Sequence, residues 1–142
     1  MTKQEYTDYV KQYEKKSPLF KNIALAYLVG GAICMLGQGI SDLYIYLGLE
    51  KDPAAAATSI TLVFLGAFLT ALRLYGQVAK FAGAGTIVPI TGFANSIVSP
   101  AMEFKSEGFI TGMSAKMFTV AGPVLVFGIV ASVLYGLILV IF

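Results

Sequence analysis

A chain of 142 residues in which 57% are hydrophobic and only 13% charged lies outside the makeup of a soluble domain, where charged residues are about a quarter of the total. Ten Lys and Arg against eight Asp and Glu leave a net charge of +2, and the absence of His excludes imidazole bases and His-containing metal sites. The single cysteine, Cys34, excludes an internal disulfide and CxxC chemistry.

Residues 1–17 read as an interfacial amphipathic helix. Tyr6, Tyr9, Val10 and Tyr13 recur at helical spacing while Lys and Glu fill the other face, a pattern suited to headgroup depth. Ser17 and Pro18 then read as the N-cap and first helical position of a span over 19–48. From Ile23 to Leu47 only Gln38, Ser41 and Asp42 interrupt the apolar run. A secretory signal with cleavage near Ala54 to Ala57 is disfavoured, because signal cores run to only about 7–15 residues. Ala26, Gly30, Cys34, Gly37 and Ser41 fall on one face, where small residues let helices approach closely, and Cys34 is assigned to that packing.

A second span is placed at 54–79, where Ala54 to Tyr75 is apolar apart from hydroxyl residues and Arg73. A last span covers 109–142; its final 26 residues, Met117 to Phe142, carry no charge, which is enough to cross a hydrocarbon core of roughly 30 Å. Gly128, Ser132 and Gly136 repeat along it as a second small-residue stripe. The resulting fold class is an all-α integral membrane helical bundle, a single domain of three full spans plus one broken element.

That broken element, residues 83–108, is apolar enough for a bilayer yet contains Gly83, Gly85, Gly92, Gly108, Pro89, Pro100, Asn95, Glu103 and Glu107. A continuous helix through both prolines loses backbone hydrogen bonds that lipid does not replace. The pattern predicts two half-helices: one from Pro89 towards Val98, and one restarting with Ser99 as cap and Pro100 at its first position. Gly83, Gly85 and Gly92 supply positive φ or close helix approach and allow flexing. Gly83-Ala84-Gly85 is not a nucleotide fingerprint, since Val88 stands where the third glycine belongs.

Thr91, Asn95, Ser99, Glu103 and Glu107 follow one another four apart. Each step of four drifts about 40° around an ideal helix, so only neighbouring members share a face. These five residues are the candidates for lining a solute path. Half-helix termini attract ions of either sign, and Arg73, Lys80 and Lys116 at span edges are candidate anion contacts. No cofactor, metal site or nucleic-acid partner is expected. The Lys-rich start favours a cytoplasmic N-terminus, with the turn Glu50-Lys51-Asp52-Pro53 outside and Arg73 and Lys80 inside. If the broken element crosses, Glu103 to Glu107 is outside and Phe142 inside; if it is re-entrant, both placements reverse.

The run from Phe81 to Gly108, FAGAGTIVPITGFANSIVSPAMEFKSEG, resembles the signature of the SpoVAC/SpoVAE family of spore membrane proteins, and the likeness extends over essentially the whole chain. The resemblance implies a channel component of the SpoVA complex in the inner membrane of bacterial endospores, in an oligomer with SpoVAE-type and SpoVAD proteins and among membrane lipids. It further implies that the solute is dipicolinate with calcium, taken up in sporulation and released in germination, with membrane tension as the opening stimulus. A non-conducting scaffold of that complex is the alternative. An enzyme using Glu103 and Glu107 as a carboxylate pair is disfavoured, because no nucleophile constellation or cofactor motif accompanies them.

Overall fold

The computed structural model describes residues 2–13 and 17–141. They form six helices of some length: α1 Lys3–Tyr13, α2 Leu19–Tyr46, α3 Lys51–Ala71, α4 Tyr75–Ala82, α5 Ile90–Glu103 and α6 Ala115–Ile141. A 3₁₀ turn, Gly83–Thr86, follows α4; a second, Phe104–Glu107, and a π-helical turn, Phe109–Ser114, connect α5 to α6. Leu19–Tyr46, Lys51–Ala71 and Phe109–Ile141 are long and apolar enough to cross a membrane. The chain is thus an all-α membrane bundle with three full spans.

Local chemistry sets the helix ends. α1 opens with a capping box, in which the Thr2 amide donates to Glu5 Oε2 at 2.7 Å and the Glu5 amide to Thr2 Oγ1 at 3.3 Å. Tyr6, Tyr9 and Val10 of α1 are exposed; the side chain of Tyr13 and residues 14–16 lie outside the described positions. Pro18, at φ −73° and ψ 86°, caps α2 and Leu19 is its first helical residue. The expected start at Pro18 therefore moves by one residue. Ser17 serves not as the backbone cap but as acceptor for Asn22 Nδ2 at 3.3 Å.

α2 and α3 end in the same way. After α2 the Gly48 amide donates to Ile45 O and the Leu49 amide to Tyr44 O. After α3 the Arg73 amide donates to Thr70 O and the Leu74 amide to Leu69 O. Both are Schellman turns, whose C′ residue takes a left-handed conformation. Gly48 does so at φ 97° and Arg73 at φ 60°. This turn ends the second span at Ala71, short of the expected 79, and starts α4 as a separate helix.

Packing relies on small residues. The buried apolar set is Ala54, Tyr75, Ala82, Ala94 and Ala101, and among the described residues no large side chain is fully buried. Large apolar side chains such as Phe20, Tyr27 and Phe127 face outward, which water does not tolerate over so wide an area and lipid does. A Cβ added at Gly66 would sit 2.8 Å from the Thr91 carbonyl oxygen, and one at Gly85 would sit 2.9 Å from Ala26 Cα, so α5 crosses α3 and the Gly83–Thr86 turn crosses α2 at backbone contact. Of the expected stripe on α2, Ala26, Gly30 and Gly37 face other elements, while Cys34 is exposed. In α6 a Cβ at Gly128 or Gly136 would meet nothing within 4 Å. That stripe has no partner helix among the described residues.

Side-chain pairings fix the direction of each element. α2 and α3 are antiparallel, with Tyr44 Oη 2.8 Å from Thr61 Oγ1 and Gly37 facing Leu62. α5 runs parallel to α3: Gly66 meets Thr91 and Ala94, Thr70 meets Asn95, and Arg73 shares a recess with Ser99 and Glu103. α6 runs back antiparallel to α5, with Lys116 over Phe104 and Val120 and Val124 beside Phe93 and Ser96. The chain therefore enters through α4, turns at Gly83–Pro89 and returns through α5 to the face where α3 ended. At 14 residues, α5 spans only about 21 Å, short of the roughly 30 Å core. This fold-back predicts a re-entrant placement in the membrane.

Its breaks also differ from those expected. Pro89, at φ −65° and ψ 152°, caps α5, so the first break falls there as anticipated. Pro100, however, lies inside α5 and no second half-helix starts at Ser99. The buried face Thr91, Ala94, Ala101 continues across the proline; this packing and the nearby helix end outweigh the lost hydrogen bond. The second break is instead at Gly108, at φ 106°.

Re-entrance makes a labelling prediction. In a Cys34→Ala background, Ser106→Cys is expected to react with a membrane-impermeant maleimide from the same side as Lys3→Cys and from the side opposite Glu50→Cys. Reaction from the Glu50 side would mean that residues 83–108 cross.

Candidate functional site

The five candidates for a solute path do not share one environment. Thr91 is buried, its hydroxyl 3.0 Å from Tyr75 Oη, and Tyr75 Oη donates to the Thr86 carbonyl at 3.2 Å. These bonds tie the first turn of α5 to α4 and to the Gly83–Thr86 turn. Gly92 fits there because a Cβ would run into the Thr86 carbonyl, and Gly83 because its φ of 54° is left-handed. The glycines thus fulfil packing and conformational requirements of the turn.

One turn along, Asn95 is half-buried against α3. Thr70 Oγ1 lies 2.6 Å from the Gly66 carbonyl oxygen and 2.9 Å from the outer end of the Asn95 amide. A hydroxyl has one proton, so both contacts close only if the amide presents its NH₂: Asn95 Nδ2 donates to Thr70 Oγ1, which donates to Gly66 O. Thr70 is buried, and the bond joins the two parallel helices.

Ser99 and Glu103, further on, are exposed and line a recess of 280 Å³ with Thr70, Arg73, Met102 and Lys105. Glu107 is not part of it; its carbonyl accepts from Thr111 Oγ1 at 2.8 Å in the turn beyond. Below Asn95 a separate groove of 650 Å³ is bounded by Tyr75, Ala79, Gly83, Thr86, Ile87, Gly92, Phe93, Asn95, Ser96, Val120 and Val124. Thr70 lines the recess and Asn95 the groove, so their hydrogen bond links the linings of the two cavities.

The three candidate anion contacts separate in the same way. Arg73 lines the recess. Lys80 lies in another groove, with Leu19, Asn22 and Phe81 between α2 and α4. Lys116 holds its ammonium 4.0 Å from the centre of the Phe104 ring, a cation–π contact. Thr70, Tyr75 and Lys105 were not distinguished by sequence pattern. Their roles depend on α5 lying parallel to α3, which no local spacing reveals.

Comparison with known proteins now adds to this geometry. The family model described as SpoVAC/SpoVAEB sporulation membrane protein matches residues 22–138. Stage V sporulation protein AC of Bacillus subtilis (strain 168) is 44% identical to this chain over 137 residues, which is 96% of this chain and 91% of that protein. No solved structure matches.

Proposed function

This chain belongs to the SpoVAC/SpoVAEB family of sporulation membrane proteins, and from that premise we propose that it is a channel subunit of the spore inner membrane. Its solute in this reading is dipicolinate with calcium, moved inward during sporulation and outward during germination, in an assembly with SpoVAE-type and SpoVAD proteins. The N-terminus faces the cytoplasmic side of that membrane. The observation that carries the reading is the Thr70–Asn95 hydrogen bond, which joins the linings of the recess and of the mostly apolar groove and in this reading serves as the partition between them.

A re-entrant segment is the kind of irregular backbone that membranes tolerate where it borders protein or a water-filled path. Here it brings Asn95, Ser99 and Glu103 to the cavities. Membrane hydrogen bonds of this kind contribute about 0.6 kcal/mol on average, so the bond itself is a weak barrier to opening. Membrane tension that thins the bilayer acts in that direction.

A non-conducting scaffold is the second reading, and one feature favours it: the small-residue face of α6 has no partner among the described residues and is available for assembly. Reconstituting the chain alone in liposomes and recording from patches under suction separates the two. Discrete currents that appear with tension are expected; silent patches would favour the scaffold.

A further inference from the structure

The turn after α3 carries more than a helix stop. A Schellman turn needs a left-handed residue, and α2 meets that need with Gly48. α3 makes the same two hydrogen bonds around Arg73, at φ 60°. A long side chain there costs roughly 1 kcal/mol relative to glycine. Strain of this kind points to a role for the side chain rather than the backbone.

The side chain lines the recess that also receives Lys105, Glu103, Thr70 and Ser99. None of the three charged side chains has a hydrogen bond or ion pair among the described residues. Irregular backbone adjoins the recess in the chain: the 3₁₀ turn Phe104–Glu107 contributes Lys105 to the lining, and Gly108, at φ 106°, and the π-helical turn Phe109–Ser114 follow it. π-helical turns gather at functional sites.

We propose that this recess is an oxyanion site in which Arg73 is the principal contact. The guanidinium offers a planar fork that suits a carboxylate or phosphate, and Lys105 adds a second positive charge. Thr70 and Ser99 are the neutral polar residues of the lining. Glu103 leaves the lining with one net positive charge and attracts a cation held by the same ligand, so the site favours an anion that chelates a divalent metal over a bare one. At 280 Å³ the recess is below the roughly 300–1,000 Å³ of drug-sized pockets and takes a small ligand or a headgroup.

The oxyanion has two possible sources, the carboxylates of a solute and the phosphate of an anionic lipid. Using dipicolinate as the solute probe rests on the function proposed above; the site itself does not. The full chain in phosphatidylcholine nanodiscs is titrated with dipicolinate, with and without calcium, and lipids retained from phosphatidylglycerol-containing membranes are counted by native mass spectrometry. Arg73→Gly is expected to keep the turn, with thermal stability equal to or above that of the parent, while weakening dipicolinate binding at least tenfold. Arg73→Asn, which also tolerates a left-handed backbone, is expected to do the same, and Glu103→Gln to remove only the advantage of the calcium-loaded form. Retention of dipicolinate binding with loss of bound phosphatidylglycerol would assign the site to a headgroup. Parent-like binding of both probes in Arg73→Gly and Arg73→Asn would overturn the proposal. Absence of flux through the unaltered protein would instead bear on the channel reading and leave this site standing.

Discussion

Gly66→Leu is expected to deplete the membrane of folded protein, although Gly66 lines neither of the two cavities described above. A Cβ at Gly66 would lie 2.8 Å from the Thr91 carbonyl oxygen, 3.0 Å from Thr91 Cα and 3.2 Å from Ala94 Cβ. Two of the three are backbone atoms and cannot rotate away. α5 must withdraw from α3, and the Thr70–Asn95 bond is lost with the contact. Overpacking a tight interior costs about 1–3 kcal/mol; with the largest helix–helix contact of the fold displaced, the upper end of that range is expected. Gly39 is the control, since a Cβ there meets nothing within 4 Å. Immunoblots of membranes should show Gly39→Leu near the parent level and Gly66→Leu reduced at least tenfold. Equal amounts of the two would mean that α3 and α5 do not cross at Gly66.

The same contact marks where reading from sequence stopped. The three spans, the interfacial helix and the broken element follow from hydropathy and from Gly and Pro placement, because each signal is local. Hydropathy alone carries the second span eight residues past Ala71, because Arg73 carries none of the usual signs of a helix end. A left-handed C′ position normally declares itself by Gly or Asn, and here hydrogen bonding to Thr70 and Leu69 enforces the turn on arginine. Pro100 misled in the opposite sense: its local preference is to break a helix, and packing of Ala94 and Ala101 on either side overrode it. The ladder of polar residues was legible as a set but not as a division, since Thr91 differs from Ser99 only in what α3 and α4 place beside them. Whether the element crosses or returns was undecidable for a related reason. Parallel packing of α5 on α3 is a property of two segments together, and the charges of neither reveal it.

Asn95→Leu, finally, is expected to abolish accumulation of dipicolinate in spores while leaving the protein in place. The stability cost is small. The substitution removes one interhelical bond, about 0.6 kcal/mol on average in membranes. Thr70 keeps its partner in the Gly66 carbonyl at 2.6 Å, so no buried hydroxyl is orphaned. Asn95 borders the 650 Å³ groove, which has room for the leucine. What changes is the partition itself: an apolar side chain now stands between recess and groove, and a charged solute loses the polar group next along its route. Accumulation at least tenfold below the parent, with the chain present at parental level in the inner membrane, is the expected result. Thr70→Val breaks the same bond from the other helix but leaves the Asn95 amide in the groove. If the bond is a closed gate, this variant should release dipicolinate early instead of failing to admit it. Opposite phenotypes from the two ends of one hydrogen bond cannot come from loss of packing alone. Normal accumulation and retention in both variants would mean that the solute does not pass between α3 and α5.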